Sequence, residues 1–345
     1  MSLRFHPLAQ LTLLKLRGLL REPEAIFWVF AFPLLMALAL GVAFRVRGTE
    51  RLPVGIQDGA GAAALELALA GRDDLEPRRL AADAAREALR RGNVALVVVP
   101  AEPVVYWFDP TRSDSRQARL LVHDVLQRAA GRTDVGGATE RHMTERGSRY
   151  IDFLVPGLLG MNLMGTGFWG IGFFIVVARS RSLLKRFVAT PMRRSDFLLS
   201  QITGRLVFLV LEVGVLVVFA RLAFDVPLRG SLVSLSAVCV VGALTFGGLG
   251  LLVAARPRTI EGVAGMMNLA MMPMWICSGV FFSTARFPAA AQPLIQALPL
   301  TAVNDALRAV MLDGAGLAAI AGELGIASAW CVASFAAAVA LFRWS

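Results

Sequence analysis

Six apolar runs, each close to the roughly 20 residues a helix needs to cross a hydrocarbon layer, dominate this chain: residues 26–44, 153–178, 197–220, 232–255, 263–282 and 317–342. A backbone in hydrocarbon must satisfy its own N–H and C=O groups, so such runs are expected as transmembrane helices. Composition agrees, because 56% of residues are hydrophobic and mean hydropathy is +0.63. A soluble domain would expose large apolar patches at those values.

The charges report topology rather than a polyanionic partner. Net charge is +10, yet outside residues 45–149 the chain holds 18 Lys or Arg against 10 Asp or Glu, placed at the edges of apolar runs, and nucleic acid is not expected. With the first run entering from the cytoplasm, the short inner segments hold Arg4, Lys15, Arg17 and Arg21, then six cations in 179–197, then Arg256 and Arg258, then Arg343. The outer loops hold chiefly Arg229, Arg286 and Arg308, balanced by Asp225, Asp305 and Asp313. Both termini are therefore expected in the cytoplasm. Arg45 and Arg47 follow the first run, which argues against a cleaved signal peptide.

Residues 179–197, RSRSLLKRFVATPMRRSDF, place Leu183, Leu184, Phe187 and Val188 at helical spacing before Thr190, Pro191 and Met192. A short amphipathic helix there would present an apolar face to a soluble partner. The competing reading is a basic loop that only fixes orientation. Ahead of the first run, Phe5, Leu8, Leu16, Leu19 and Leu20 share one arc of a helical wheel, as in a helix lying in the membrane interface. Pro23 and Glu24 suit the first turn of the helix that follows.

Residues 46–149 differ in composition and contain no membrane-length run. Strands are expected at 54–57, 95–99 and 104–108, and helices near 60–69, 81–91 and 115–130, giving a small α/β domain outside the membrane between the first two helices. The chain thus reads as residues 1–45 (interfacial and first membrane helix), 46–149 (outer domain) and 150–345 (five membrane helices).

Chemical motifs are few. Gly165, Gly167 and Gly170 spell G-x-G-x-x-G inside an apolar run, where helix packing explains them better than a dinucleotide site. His6, His123 and His142 have no neighbours at metal spacing, so no metal site is expected, and Cys239, Cys277 and Cys331 read as small buried hydrophobes. The only lysines, Lys15 and Lys185, each follow Leu, so the phosphate-binding G-x-x-x-x-G-K-[ST] loop is absent. No catalytic centre emerges. Arg205 and Glu212 lie well inside a run, seven residues apart on roughly one helix face. They either satisfy polar groups of neighbouring helices, with Arg205 snorkelling toward the cytoplasm, or serve substrate passage or proton coupling. Asn162 and Asn268 are either interhelical hydrogen-bonding groups or pore lining.

Three stretches together resemble the permease subunits of type-2 ABC exporters. LLKLRGLLREPEAIFWVFAFPLLMALALGVAF is similar to the family's interfacial and first membrane helices, and SLLKRFVATPMRRSDFLLSQ to its docking loop. MPMWICSGVFFSTARFPAAAQPLIQALPLTAVNDALRAVMLDG resembles the end of the fifth helix and the external re-entrant segment, here 283–316, with Pro288, Pro293 and Pro299. The family loop commonly carries acids and a Gly where this chain has Arg179, Ser180, Arg181 and Ser182. The resemblance implies a multi-pass protein of the bacterial cytoplasmic (inner) membrane that pairs with itself or a second permease. ATP and Mg would sit on a separate ATP-binding subunit contacted through Leu183, Leu184, Phe187, Thr190, Pro191 and Met192. It further implies contact with membrane lipids, leaves room for a periplasmic adaptor, and suggests efflux of hydrophobic or drug-like compounds. The alternative is a membrane-anchored sensor that uses 46–149 to bind a signal.

Overall fold

A computed structural model of the chain describes residues 21–44, 51–133, 147, 149–173, 175–177, 194–257 and 259–341. The expected interfacial helix and the loop residues Leu183, Leu184, Phe187, Thr190, Pro191 and Met192 lie outside the described residues. The chain divides into two compact units, Val46–Met143 and the remainder. Among the described residues, the first helix of the remainder is α1, which comprises Pro23–Ile26, a π-helical turn Phe27–Ala31, and Phe32–Ala43. Pro23 sits in the first turn, where its missing N–H costs no hydrogen bond.

The smaller unit contains β1 (Leu52–Gln57), α2 (Ala62–Ala70), β2 (Leu75–Leu80), α3 (Ala82–Arg91), β3 (Leu96–Val99), β4 (Val105–Phe108) and α4 (Ser113–Ala129). The sheet runs β2-β1-β3-β4, with β1 parallel to β2 and β3, and β4 antiparallel to β3. Side chains alternate between two cores, as strand geometry requires. Val54, Ile56, Leu96 and Val98 join Leu69 of α2 and Val122 of α4 on one face, while Val97 and Trp107 meet Ala85 and Leu89 of α3 on the other. Strand β2 was not expected, because Leu-Glu-Pro-Arg-Arg-Leu lacks apolar alternation. Backbone pairing to β1 places it at a sheet edge, where Pro77 and charges are tolerated. In the turn before it, Arg72 hydrogen-bonds Asp74 at 2.9 and 2.5 Å and holds that carboxyl below its ordinary range.

The larger unit continues with α5 (Tyr150–Gly167, extended by π-helical Phe168–Phe173), α6 (Arg194–Phe224), α7 (Leu232–Ala254), α8 (Ile260–Cys277), α9 (Gln292–Gln296), α10 (Pro299–Met311) and α11 (Ala321–Leu341). Among the described residues five helices are long and apolar enough to cross a membrane: Tyr150–Val177, Gly204–Phe224, Leu232–Ala254, Ile260–Cys277 and Ala321–Leu341, with Phe27–Ala43 a shorter apolar helix. Helix α7 packs against α5, α10 and α11, while Val210, Leu222, Leu269, Val332 and Val339 point outward as an apolar coat. Such a coat suits hydrocarbon surroundings.

Two helix ends depart from expectation. Helix α8 stops at Cys277, ahead of Gly279 at φ 71°, and α11 starts only at Ala321, after Gly314 at φ 73°. Left-handed Gly279 turns the chain inside a run that alone reads as continuous helix, while Gly314 follows the end of α10 and residues 317–320 form turns ahead of α11. Pro293 and Pro299 begin α9 and α10 instead of merely interrupting them. Helix α10 is almost wholly buried, and Arg308, expected in an outer loop, lies on it with its side chain only 13% exposed. Of the cysteines, Cys239 is buried and the other two are half-buried.

Glycine sets how closely α5 and α7 approach. A Cβ on Gly167 would stand 2.6 Å from Phe246 Cβ, and one on Gly250 would stand 2.9 Å from the Gly167 carbonyl oxygen. Gly165 and Gly170 face open space, so only the middle glycine of the three makes a helix contact. Gly167→Val should therefore destabilise the bundle by about 1–3 kcal/mol through overpacking. Gly165→Val should leave the thermal midpoint in detergent unchanged. Equal midpoints for the two variants would contradict this account of the contact.

Candidate functional site

Within the apolar bundle, α5 and α6 meet through a charged cluster. On α6 the buried face runs through Gly204, Leu209, Glu212, Leu216 and Ala220, a helical repeat that carries Glu212 into the core. Its side chain is fully buried and that of Arg205 is 11% exposed. Arg205 Nη1 donates to Glu212 Oε2 at 2.9 Å, and Nη2 donates to Thr166 Oγ1 of α5 at 2.6 Å. The Thr166 hydroxyl lies 3.2 and 3.3 Å from the two Glu212 oxygens and 2.9 Å from the Asn162 carbonyl one turn earlier. Having one proton, it donates to one of these acceptors at a time while receiving from Arg205.

Arg205 therefore reaches along its own helix to Glu212, away from the loop end toward which snorkelling would carry it. Placing opposite charges in contact is how a buried carboxylate is tolerated among Leu and Val. Thr166 brings α5 into the pair, and sequence reasoning missed it. The available signal was its position four residues after Asn162, which puts both on one helix face.

Asn162 has a separate role. Pro33 has no N–H, so the carbonyl of Val29, four residues earlier in α1, loses its α-helical donor. Asn162 Nδ2 donates to that oxygen at 3.0 Å, joining α5 to α1. Asn268 does not join this cluster: it lies on the exposed side of α8 with Met266, Leu269 and Met272. The four sequence-derived candidates thus separate into a paired couple, an interhelical bond and an outward-facing amide.

A second polar group gathers where α8 ends. Asn304 of α10 donates to the Ser278 carbonyl at 2.8 Å, and Arg308 bonds the Gly279 carbonyl and Asp305 while its guanidinium lies 3.9 Å from the Phe153 ring centroid. Tyr150 Oη donates to the Phe281 carbonyl at 3.2 Å. These bonds satisfy carbonyls of the segment that follows the helix, where no helical donor is available. Among the described residues no group of three His, Cys, Asp or Glu stands together at metal-binding geometry.

An apolar helical bundle with internally paired charges defines a multi-pass membrane protein. A family model described as ABC-2 type transporter matches residues 105–312, from β4 to just past α10. That is more than half of the chain, and this protein belongs to the ABC-2 type transporter family. Among curated relatives it is 29% identical over 171 residues to ABC transporter G family member 20 of Dictyostelium discoideum, covering 49% of this chain and 23% of that protein. It is 26% identical over 202 residues to Nodulation protein J of Bradyrhizobium diazoefficiens, covering 57% of this chain and 75% of that one.

The cluster makes a directional prediction. Arg205→Met alone leaves Glu212 buried without its counter-charge and should cost about 3 kcal/mol or more of stability. Arg205→Met with Glu212→Leu should recover at least half of that loss in thermal unfolding of the purified protein. If the single variant is as stable as the parent, the counter-charge of Arg205 does not stabilise the bundle.

Proposed function

We propose that this chain is the transmembrane subunit of an ATP-driven exporter that moves a hydrophobic or drug-like compound out of the cytoplasm. The observation that carries this reading is the family match over 105–312, which includes α5, α6 and the basic stretch between them. In this reading the bundle has six transmembrane helices, counting α1, with both termini cytoplasmic and residues 46–149 outside. Two copies, or one copy and a second permease, pair with a separate ATP-binding subunit that holds ATP and Mg. The lack of a phosphate-binding loop in the sequence supports a separate source of energy.

Residues 179–197 would rest on that subunit through Leu183, Leu184, Phe187, Thr190, Pro191 and Met192. Closure of the ATPase pair would push on this loop and rock the attached helices between access states. Arg205 stands 11 residues into α6 from Arg194, about 17 Å along the axis. A clamp at that depth would make α5 and α6 travel as one lever. Asn268, on an outward face of α8, is placed to meet a substrate or a neighbouring permease.

Phe187→Ala should weaken association with the ATP-binding subunit by roughly 30-fold, the equivalent of losing an aromatic hot spot of about 2 kcal/mol. Membrane insertion should not change, because the six loop cations remain. Co-purification and coupled ATP hydrolysis at matched expression measure this. Unchanged values for both in a folded variant would reduce the loop to an orientation signal and remove the main support for a docked ATPase.

A further inference from the structure

The two edges of the sheet in the smaller unit are built differently. Edge strand β2 carries Pro77, Arg78 and Arg79, which discourage another strand from pairing. Edge strand β4 reads Val105-Tyr106-Trp107-Phe108, with neither proline nor charge, and pairs on one side only, with β3. Among the described residues no other backbone segment bonds to it. In an antiparallel pair every second residue turns its N–H and C=O away from the partner strand, so β4 presents unpaired main-chain groups along an apolar edge.

Cations stand beside this edge on both faces of the sheet. Arg86 of α3 lies 4.9 Å from the Trp107 ring centroid, and Arg119 of α4 lies 5.3 Å from that of Phe108. His123, one turn beyond Arg119, is 3.3 Å from the Tyr106 hydroxyl, and Arg116 lies one turn before it. In this unit Arg72, Arg78, Arg79, Arg90, Arg91, Arg112, Arg128 and Arg132 each pair with a carboxylate. Arg86, Arg116 and Arg119 are exposed and have no carboxylate partner among the described residues. Of the exposed arginines in this unit with no carboxylate partner among the described residues, Arg51 stands immediately before β1 and the other three stand beside the β4 edge.

This juxtaposition selects an occupant. A second copy adding its own β4 would bring the same cations against one another, which like-charge repulsion opposes. Anionic headgroups would answer the arginines but leave the strand's main-chain groups unpaired. We propose that β4 is a docking edge that takes an extended acidic segment of a partner protein as a fifth strand. Main-chain bonds to 105–108 set its register, and Arg86 and Arg119 receive carboxylates on the two faces. The inference does not depend on the transport reading.

The test uses the full chain in phosphatidylcholine nanodiscs and a short fluorescein-labelled peptide in which Val alternates with Asp-Glu pairs, so that acids fall on both faces of an added strand. Anisotropy should report saturable binding. Methylating alternate peptide nitrogens, which removes strand donors and leaves charge intact, should weaken it by roughly tenfold or more. Arg86→Glu and Arg119→Glu, both at exposed positions, should each do the same, while Arg78→Glu on the opposite edge should have no effect. Absence of binding would overturn the proposal. Binding insensitive to N-methylation or to both β4-side variants, or full displacement by phosphatidylglycerol vesicles, would also overturn it by showing plain charge attraction or a lipid-binding surface.

Discussion

The bundle depends on one interaction: a fully buried carboxylate, Glu212, neutralised by Arg205 and tied through that arginine to Thr166 of the neighbouring helix. Leu209, Leu216 and Phe168 are buried within the same bundle, and a bare charge among such side chains would cost several kcal/mol. Arg205 supplies the counter-charge from within α6, and the bonds of this pair to the Thr166 hydroxyl are what join α6 to α5. Apolar packing alone distinguishes poorly between neighbouring helix faces in hydrocarbon. The Thr166 bonds to that pair supply the registry that leucines and valines do not.

The same logic of satisfied polar groups orders the rest of the bundle. Pro33 frees the Val29 carbonyl and Asn162 answers it. Thr245 of α7 donates to the Ala327 carbonyl of α11 at 2.9 Å, and Trp330 of α11 donates to Ala297 beyond α9 at 2.8 Å. Each bond joins elements far apart in sequence, so a few polar contacts tie the helices together alongside close approaches made at glycine. Gly167 and Gly250 permit one such approach between α5 and α7.

Much of this was legible from residue patterns, for physical reasons that also explain what was not. Apolar run length locates membrane helices because burial of the backbone leaves little choice, and the short apolar, β-branched and aromatic runs at 96–99 and 105–108, bounded by turn residues, mark strands. The helix end at Cys277 escaped because a left-handed glycine is a conformation and not a composition. Strand β2 escaped because its pairing lies in the backbone while its side chains read as a polar turn. Arg205 and Glu212 stood out as charges in an apolar run, but a hydroxyl such as Thr166 carries no signal until the opposing helix is known. Asn162 and Asn268 look alike in sequence, yet one bridges helices and the other faces outward, since orientation depends on neighbours far away in the chain.

The central claim is that α5 and α6 are clamped into a single rigid hairpin, and an inter-helix distance tests it most directly. Spin labels near the loop-side ends of the two helices, measured in the complex with the proposed ATP-binding subunit with and without trapped nucleotide, should give distances that agree within roughly 2 Å, the scale of ordinary helix shifts. Thr166→Val should broaden the distribution while the fold persists. A change of several ångströms on nucleotide trapping in the unaltered protein, with the Arg205–Glu212 pair intact, would contradict the clamp.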